Sequence, residues 1–499
     1  MTSALSNSPT ARRSGRARRL GLAALLASAS LLACSGTPAS SRTHESREIV
    51  ASTTTATLDS ATDTDMTKLE LDPLIDRALA EPESIPTIAA QLRERFGSAA
   101  LDHLIARHRA EVVPAARHTA ADQDWRALID AVAQQRDAHF GGLYWHRDLA
   151  AAQEQAAVEG KPVLSLRLLG ELTSEFSCAN SRLFRTLLYA DPELARWLDE
   201  SFVLHWSSER PVPRVAIDFG DGRKLERTLT GNSAHFVLDA QGRTIDVIPG
   251  LYAPAAFREA LGESLALHAR LAQTAPAQWA ELLAADHDRR FQAAVTRMSD
   301  ELTLARGMPS DRAGVQAWLA APPSEGQRVA AVQAVPMAIG KSRMEAPILL
   351  DSLDEFGGRG ARRAPTPIRE PDDLERMMIG ARLTGAIVLH PNVWTIVAAE
   401  RPVDALVPES ERGAALRAMQ QALLVALQQD TAKNALELAP RVHAELAARA
   451  RGGGGLSLIE VDGWLYARLF ETPASDPWLG LVDATVYTGL VDGGLAISP

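Results

Sequence analysis

Residues 160–168 read Gly160-Lys161-Pro162-Val163-Leu164-Ser165-Leu166-Arg167-Leu168, and the fold is decided by this stretch and its flanks. From Val163 on, a short apolar run behind a Lys-Pro turn reads as a strand. Upstream, Asp148 to Gly160 is an alanine-rich helix, with Asp148 as N-cap and Gly160 as its stop. Downstream, Leu183, Phe184, Leu187 and Leu188 share one helical face within 178–189. Asp191-Pro192-Glu193 starts a further helix, capped by Asp191, with Pro192 in its first turn and Leu194, Trp197 and Leu198 as its buried face. Residues 202–206 form a second strand. Strands joined through helices lie parallel, with a right-handed crossover.

Two hairpins follow. Gly220-Asp221-Gly222 joins apolar runs at 215–219 and 224–230, and Ala240-Gln241-Gly242 joins runs at 235–239 and 243–248. A closing helix begins at Pro254. The expectation is an α/β unit at 145–265, a mixed sheet with helices on both faces.

The flanks read as helical. In 67–144, Ile85, Ile88, Ala89, Leu92 and Phe96 make one stripe, Ala99, Leu101, Leu104 and Ile105 a second, and Trp125, Leu128, Ile129 and Val132 a third. His103 and His108 sit five apart, on different faces, and read as surface histidines. In 266–499, Leu416, Met419, Leu423, Leu424 and Leu427 form a clear stripe; residues 464–470 fit a strand or a helix. Arg359, Arg362, Arg363 and Arg369 lie in a long loop and read as solvated. His443 and Glu445 are too close together for a metal pair on one helix face. The C-terminal half has no nucleophile elbow, His-Glu-x-x-His, Walker or dinucleotide motif. No metal and no cofactor is assigned.

Of 499 residues, 46% are apolar and 23% charged, as in globular proteins, and the length predicts two or three domains. Net charge is −10, and the five arginines at positions 12–19 leave the remainder at −15, which argues against a nucleic-acid partner. Two cysteines make no disulfide scaffold. Residues 1–19 are basic, and the apolar run from Leu20 to Ala33 is shorter than the roughly 20 residues of a membrane span. That pattern reads as a secretory signal at 1–33. Its end, Leu31-Leu32-Ala33-Cys34-Ser35, resembles a bacterial lipobox. The resemblance implies acylation of Cys34 and a lipid anchor in the cell envelope. With Ser35 in place of aspartate, it implies the outer membrane where there are two. Arg18-Arg19 matches a twin-arginine signal only in part. Residues 34–66 are rich in Ser, Thr and Ala and read as a tether.

The central unit resembles thioredoxin-like proteins. The matching pieces are Gly160-Lys161-Pro162, Cys178, Asp191-Pro192-Glu193, Phe202-Val203, Phe236-Val237-Leu238-Asp239, Gly242 and Gly250, about a quarter of the chain. In that family an attacking thiol sits at a helix N-terminus, activated by backbone N–H groups, and a second thiol resolves the mixed disulfide. The resemblance puts Cys178 at the attacking position and Ser181 at the resolving one, where serine forms no disulfide. Ser233 falls where the family places a cis-proline. Cys178 has two readings: a reactive monothiol, or a small buried apolar residue. His235 also has two: a base for the thiol, or a satisfied histidine on an inner strand. His205 shares these two readings, and Glu171 and Glu175, if close, would raise the thiol pKa. The expected function is a membrane-anchored envelope lipoprotein whose thioredoxin-like unit, lacking the paired thiols, binds a protein partner or acts as a scaffold. The alternative is a redox protein acting through Cys178.

Overall fold

The computed structural model describes residues 59–112, 119–229, 231–321, 368–400 and 407–475. The 1–33 signal, Cys34, most of the tether, and Arg359, Arg362 and Arg363 lie outside those residues.

Helices α1 (Asp59–Ala80), α2 (Ile85–Phe96), α3 (Ser98–Glu111) and α4 (Ala120–Ala133) enclose a core of their own, including Ile75, Leu92, Leu104 and Leu128. The first and third expected stripes supply buried faces. In the second, Ala100 is buried and Ala99 is exposed. The histidines read as surface residues are largely buried between these helices. His103 Nε2 lies 2.7 Å from Asp72 Oδ1, and His108 Nε2 lies 2.9 Å from Asp122 Oδ1.

Helix α5 (Leu149–Glu159) is capped by the Asp148 carboxylate, which accepts the Ala150 N–H at 3.0 Å, and ends at Gly160 with φ +68°. Strand β1 (Val163–Leu169) follows. Helices α6 (Ala179–Leu187) and α7 (Pro192–Ser201) connect it to β2 (Val203–Arg210), which lies parallel to β1. Asp191 caps α7 through the Glu193 and Leu194 N–H groups. Strands β3 (Arg214–Asp218) and β4 (Lys224–Thr228) pair only with each other, and most of their residues are exposed. The hairpin is legible in sequence. Its separation follows from content: Val215, Ile217 and Leu225 are too few apolar groups to anchor it in the core. Strand β5 (Ala234–Leu238) is antiparallel to β1, and β6 (Thr244–Pro249) is antiparallel to β5. The four-stranded sheet is mixed, in the order β2-β1-β5-β6.

The remaining described helices are α8 (Pro254–Ala272), α9 (Trp279–Arg306), α10 (Arg312–Ala320), α11 (Asp373–Thr384), α12 (Pro391–Ala399), α13 (Arg412–Lys433), α14 (Ala439–Gly452) and α15 (Leu458–Trp464). Helix α15 continues as a π-helical turn, Leu465–Leu469, so the stretch open to two readings is helical. Successive strand residues point to opposite faces. Arg167 of β1 reaches Asp462 of α15 at 3.3 Å. The neighbouring Leu166 pairs across to His235, which meets Tyr189 just beyond α6. Helices therefore cover both faces of the sheet. Among the described residues, no helix is long and apolar enough to cross a membrane.

One core joins the sheet to helices far along the chain. Leu164, Leu166, Phe236 and Val247 share it with Val442, Leu446, Val461, Leu465 and Phe470. The expected boundary at residue 265 falls inside α8. Burying side chains of this size contributes about 1.5–3 kcal/mol each, so the three beyond residue 452 contribute on the order of 6 kcal/mol. That rivals the 5–15 kcal/mol net stability of a whole domain. A chain ended after residue 452 is thus expected to lose its cooperative thermal transition by near-UV circular dichroism. A sharp transition within a few degrees of the full chain's would contradict the shared core.

Candidate functional site

Strand β1 ends at Leu169, and Gly170, with φ +76°, turns the chain away. The Leu169 carbonyl then accepts the Cys178 N–H at 3.1 Å. That bond returns the 169–178 excursion to the strand end and sets Cys178 at the N-cap of α6. The thiol does not bond the first-turn N–H groups that would stabilise a thiolate there. Its Sγ lies 2.9 Å from Ser233 Oγ and 3.3 Å from Ser181 Oγ. The structure thus brings together three of the four candidate residues: Ser181 from one turn into α6, Ser233 from the loop before β5.

Ser181 has one hydroxyl proton and donates it to the Cys178 carbonyl at 2.8 Å. Its oxygen therefore accepts from the thiol S–H, and the Ser233 hydroxyl donates to Sγ. With the sulfur protonated, each of these bonds has one donor and one acceptor. Cys178, Ser181 and Ser233 have no exposed surface. Glu171 and Glu175 remain exposed.

The cover over the thiol comes from residues the sequence reading did not single out. At Gly231, φ is +130°, and a Cβ there would lie 2.8 Å from the Cys178 Cβ, so the loop passes this close only as glycine. The Asn180 side-chain amide donates to Asn232 Oδ1 at 3.4 Å. Tyr466, in the π-helical turn, donates to the Asn232 carbonyl at 2.9 Å. Beside it, Arg167 pairs with both Glu209 and Asp462. Burial, with repulsion from Asp462, pushes Glu209 up to about 8. No local spacing announces Tyr466, which reaches the loop from the far end of the chain.

His235 does not join the thiol. Its Nε2 is hydrogen-bonded with the Tyr189 hydroxyl, and its ring centre lies 4.7 Å from that of Phe184 and 4.8 Å from that of Phe257. The reading of His235 as a base for Cys178 is therefore corrected: the apolar packing of the inner strand holds it elsewhere. Burial drops its pKa to about 3. His205 is likewise internal, with Nδ1 2.8 Å from Ser165 Oγ and a pKa lowered by burial to about 4. The sequence reading also missed the convergence of Asp246, His287 and His443, which lie on three separate elements with no spacing to join them.

Comparison with protein-family models, curated proteins and solved structures finds no match to this chain.

If the group is a polar network, Cys178→Ser should cost about 1 kcal/mol, because a hydroxyl replaces the thiol among its partners. Cys178→Val should cost more, since it leaves the buried Ser233 hydroxyl without the sulfur at about 1–3 kcal/mol, while Ser181 keeps the backbone carbonyl. Denaturant unfolding of both variants measures this order; the reverse order would mark an ordinary apolar site. His235 supplies a pH test. In the unfolded chain it protonates near 6.5 and in the folded chain near 3, so the unfolded state binds the extra proton between them. Its contribution is full above 6.5 and lost as pH falls towards 3. His235→Gln should therefore lose less thermal stability than the parent between pH 6.5 and pH 4. Equal losses would contradict the buried neutral imidazole.

Proposed function

We propose that this chain is a lipid-anchored envelope protein whose thioredoxin-like unit, without paired thiols, serves as a protein-binding or scaffold module. The sheet order β2-β1-β5-β6, with β1 and β2 parallel and β5 and β6 antiparallel, supports the thioredoxin-like reading. The lipobox-like run ending in Cys34 supports the anchor.

The observation that carries the scaffold reading is the complete burial of Cys178. Thiol–disulfide exchange proceeds by attack of an accessible thiolate. Here the thiol is bonded to two serines and set beneath a loop held by Tyr466. The loop before β5, which a redox protein would offer to its substrate, instead carries Tyr466 of its own chain. For contact with a partner, β3 and β4 offer exposed strand edges, the chemistry of strand addition. The competing monothiol reading draws on the place of Cys178 at the start of α6, and it requires the thiol to be reachable.

One experiment tests both parts. The full chain, isolated from envelope membranes, is alkylated before and after unfolding, and modified thiols are counted by mass. The expected result is none in the native protein and one, Cys178, after unfolding, with acyl mass on Cys34. Native alkylation with a midpoint well below the ordinary thiol value of roughly 8.5 would overturn the scaffold reading. Two free thiols after unfolding would overturn the anchor.

A further inference from the structure

Away from Cys178, three elements bring potential ligand atoms to one buried point. Asp246 lies on β6, His287 on α9 and His443 on α14. A carboxylate oxygen of Asp246 and a ring nitrogen of each histidine all lie within 4.8 Å of one another. Asp246 and His287 have no exposed surface, and the His443 side chain is 12% exposed.

Asp246 and His287 are each oriented by other partners so that one atom faces His443. The His287 Nε2–H donates to the Ile245 carbonyl at 2.9 Å, which leaves a lone pair on Nδ1. That is how ligating imidazoles are oriented: the outer nitrogen bonds a carbonyl and the inner one faces the metal. His287 Nδ1 lies 3.0 Å from His443 Nδ1. Asp246 Oδ2 is taken by Arg290 Nη1 at 2.7 Å and the Ser264 hydroxyl at 2.6 Å. Asp246 Oδ1 accepts the Val247 N–H at 2.8 Å and faces His443 Nδ1 at 3.9 Å. The last distance is too long for a hydrogen bond. It is within reach of two atoms that share one ion through bonds of about 2.0–2.2 Å.

Charge and access agree with a cation. Arg290 is shared between Asp246 and Asp286, so this buried trio carries one net negative charge. Arg270 and Arg289 also reach Asp286, but from the solvent side, where water screens them. The group borders a cavity of about 140 Å³ lined in part by Asp246, His443, Glu259 and Glu263, with Arg290 and Arg297 also at its wall. Both glutamates are exposed. The cavity gives an ion a route in and leaves room for a water ligand.

We propose that Asp246 Oδ1, His287 Nδ1 and His443 Nδ1 form a site for a divalent transition metal, zinc(II) or a first-row neighbour, with the fourth position open to the cavity. Two imidazoles and a carboxylate suit such ions, whereas calcium and magnesium take oxygen ligands. Three protein ligands and an open position is an arrangement zinc adopts where the ion meets solvent or substrate.

The test uses the full chain, untagged, in detergent, stripped with a chelator and titrated with zinc(II) alone. Calorimetry should give one equivalent with a dissociation constant in the micromolar range or below. X-ray absorption of the bound zinc should show two imidazole nitrogens at about 2.0–2.1 Å. His443→Ala, at the cavity edge, should weaken binding at least 100-fold while circular dichroism stays unchanged. If that variant does not fold, the absorption spectrum of the parent chain decides alone. No zinc uptake would overturn the proposal and leave the two histidines sharing a proton. A zinc shell without two imidazoles, or undiminished affinity in folded His443→Ala, would overturn it as well.

Discussion

Strand β1 buries side chains on both of its faces: Leu164, Leu166 and Leu168 on one, Val163 and Leu169 on the other. Strand β5, paired with β1, and β6 beyond it are buried along their whole length. A sheet of this kind is stable only when both faces are covered by other elements. The segment around the sheet supplies α5, α6 and α8. Further cover comes from α14, α15 and the π-helical turn, hundreds of residues along the chain. Two-sided burial of β1 therefore ties the end of the described chain to its middle.

The chemistry around Cys178 follows from that cover. Once Tyr466 holds the Asn232 loop, the polar atoms at the end of β1 lose water and must satisfy one another. Ser181 and Ser233 do so with the thiol, and Arg167 does so with Glu209 and Asp462. A charged thiolate in this group would keep only the Ser233 hydroxyl as a donor, since the Ser181 proton already serves the Cys178 carbonyl. The same logic operates at Asp246, where Arg290, Ser264 and a backbone N–H take up carboxylate lone pairs.

Elements with local signals were legible in the sequence. The Asp148 cap, the Gly160 stop and the Asp191-Pro192 start act within a few residues, and each is where the sequence puts it. The hairpins were legible from their glycine turns. Ser181 and Ser233 were legible only through a family resemblance, because nothing in their own spacing marks them as neighbours of a thiol. Tyr466 and Asn232 were not legible: their contact joins a loop to a helix 234 residues away, and amphipathic stripes do not say which surface they dock on. Residues 464–470 stayed open because their apolar positions fit both periods. His287 and His443, 156 residues apart, meet only because α9 and α14 pack side by side.

The central claim is that the sheet and the distant C-terminal helices form one cooperative unit. Hydrogen exchange of the native full chain, read by mass spectrometry on peptides spanning 163–169 and 458–470, tests it directly. Segments that open together share one opening free energy. The account predicts that both peptides exchange slowly, with the same dependence on denaturant, and open in one event. Exchange of 458–470 orders of magnitude faster than 163–169, with the strand still protected, would mean that the C-terminal helices rest on the sheet without completing it.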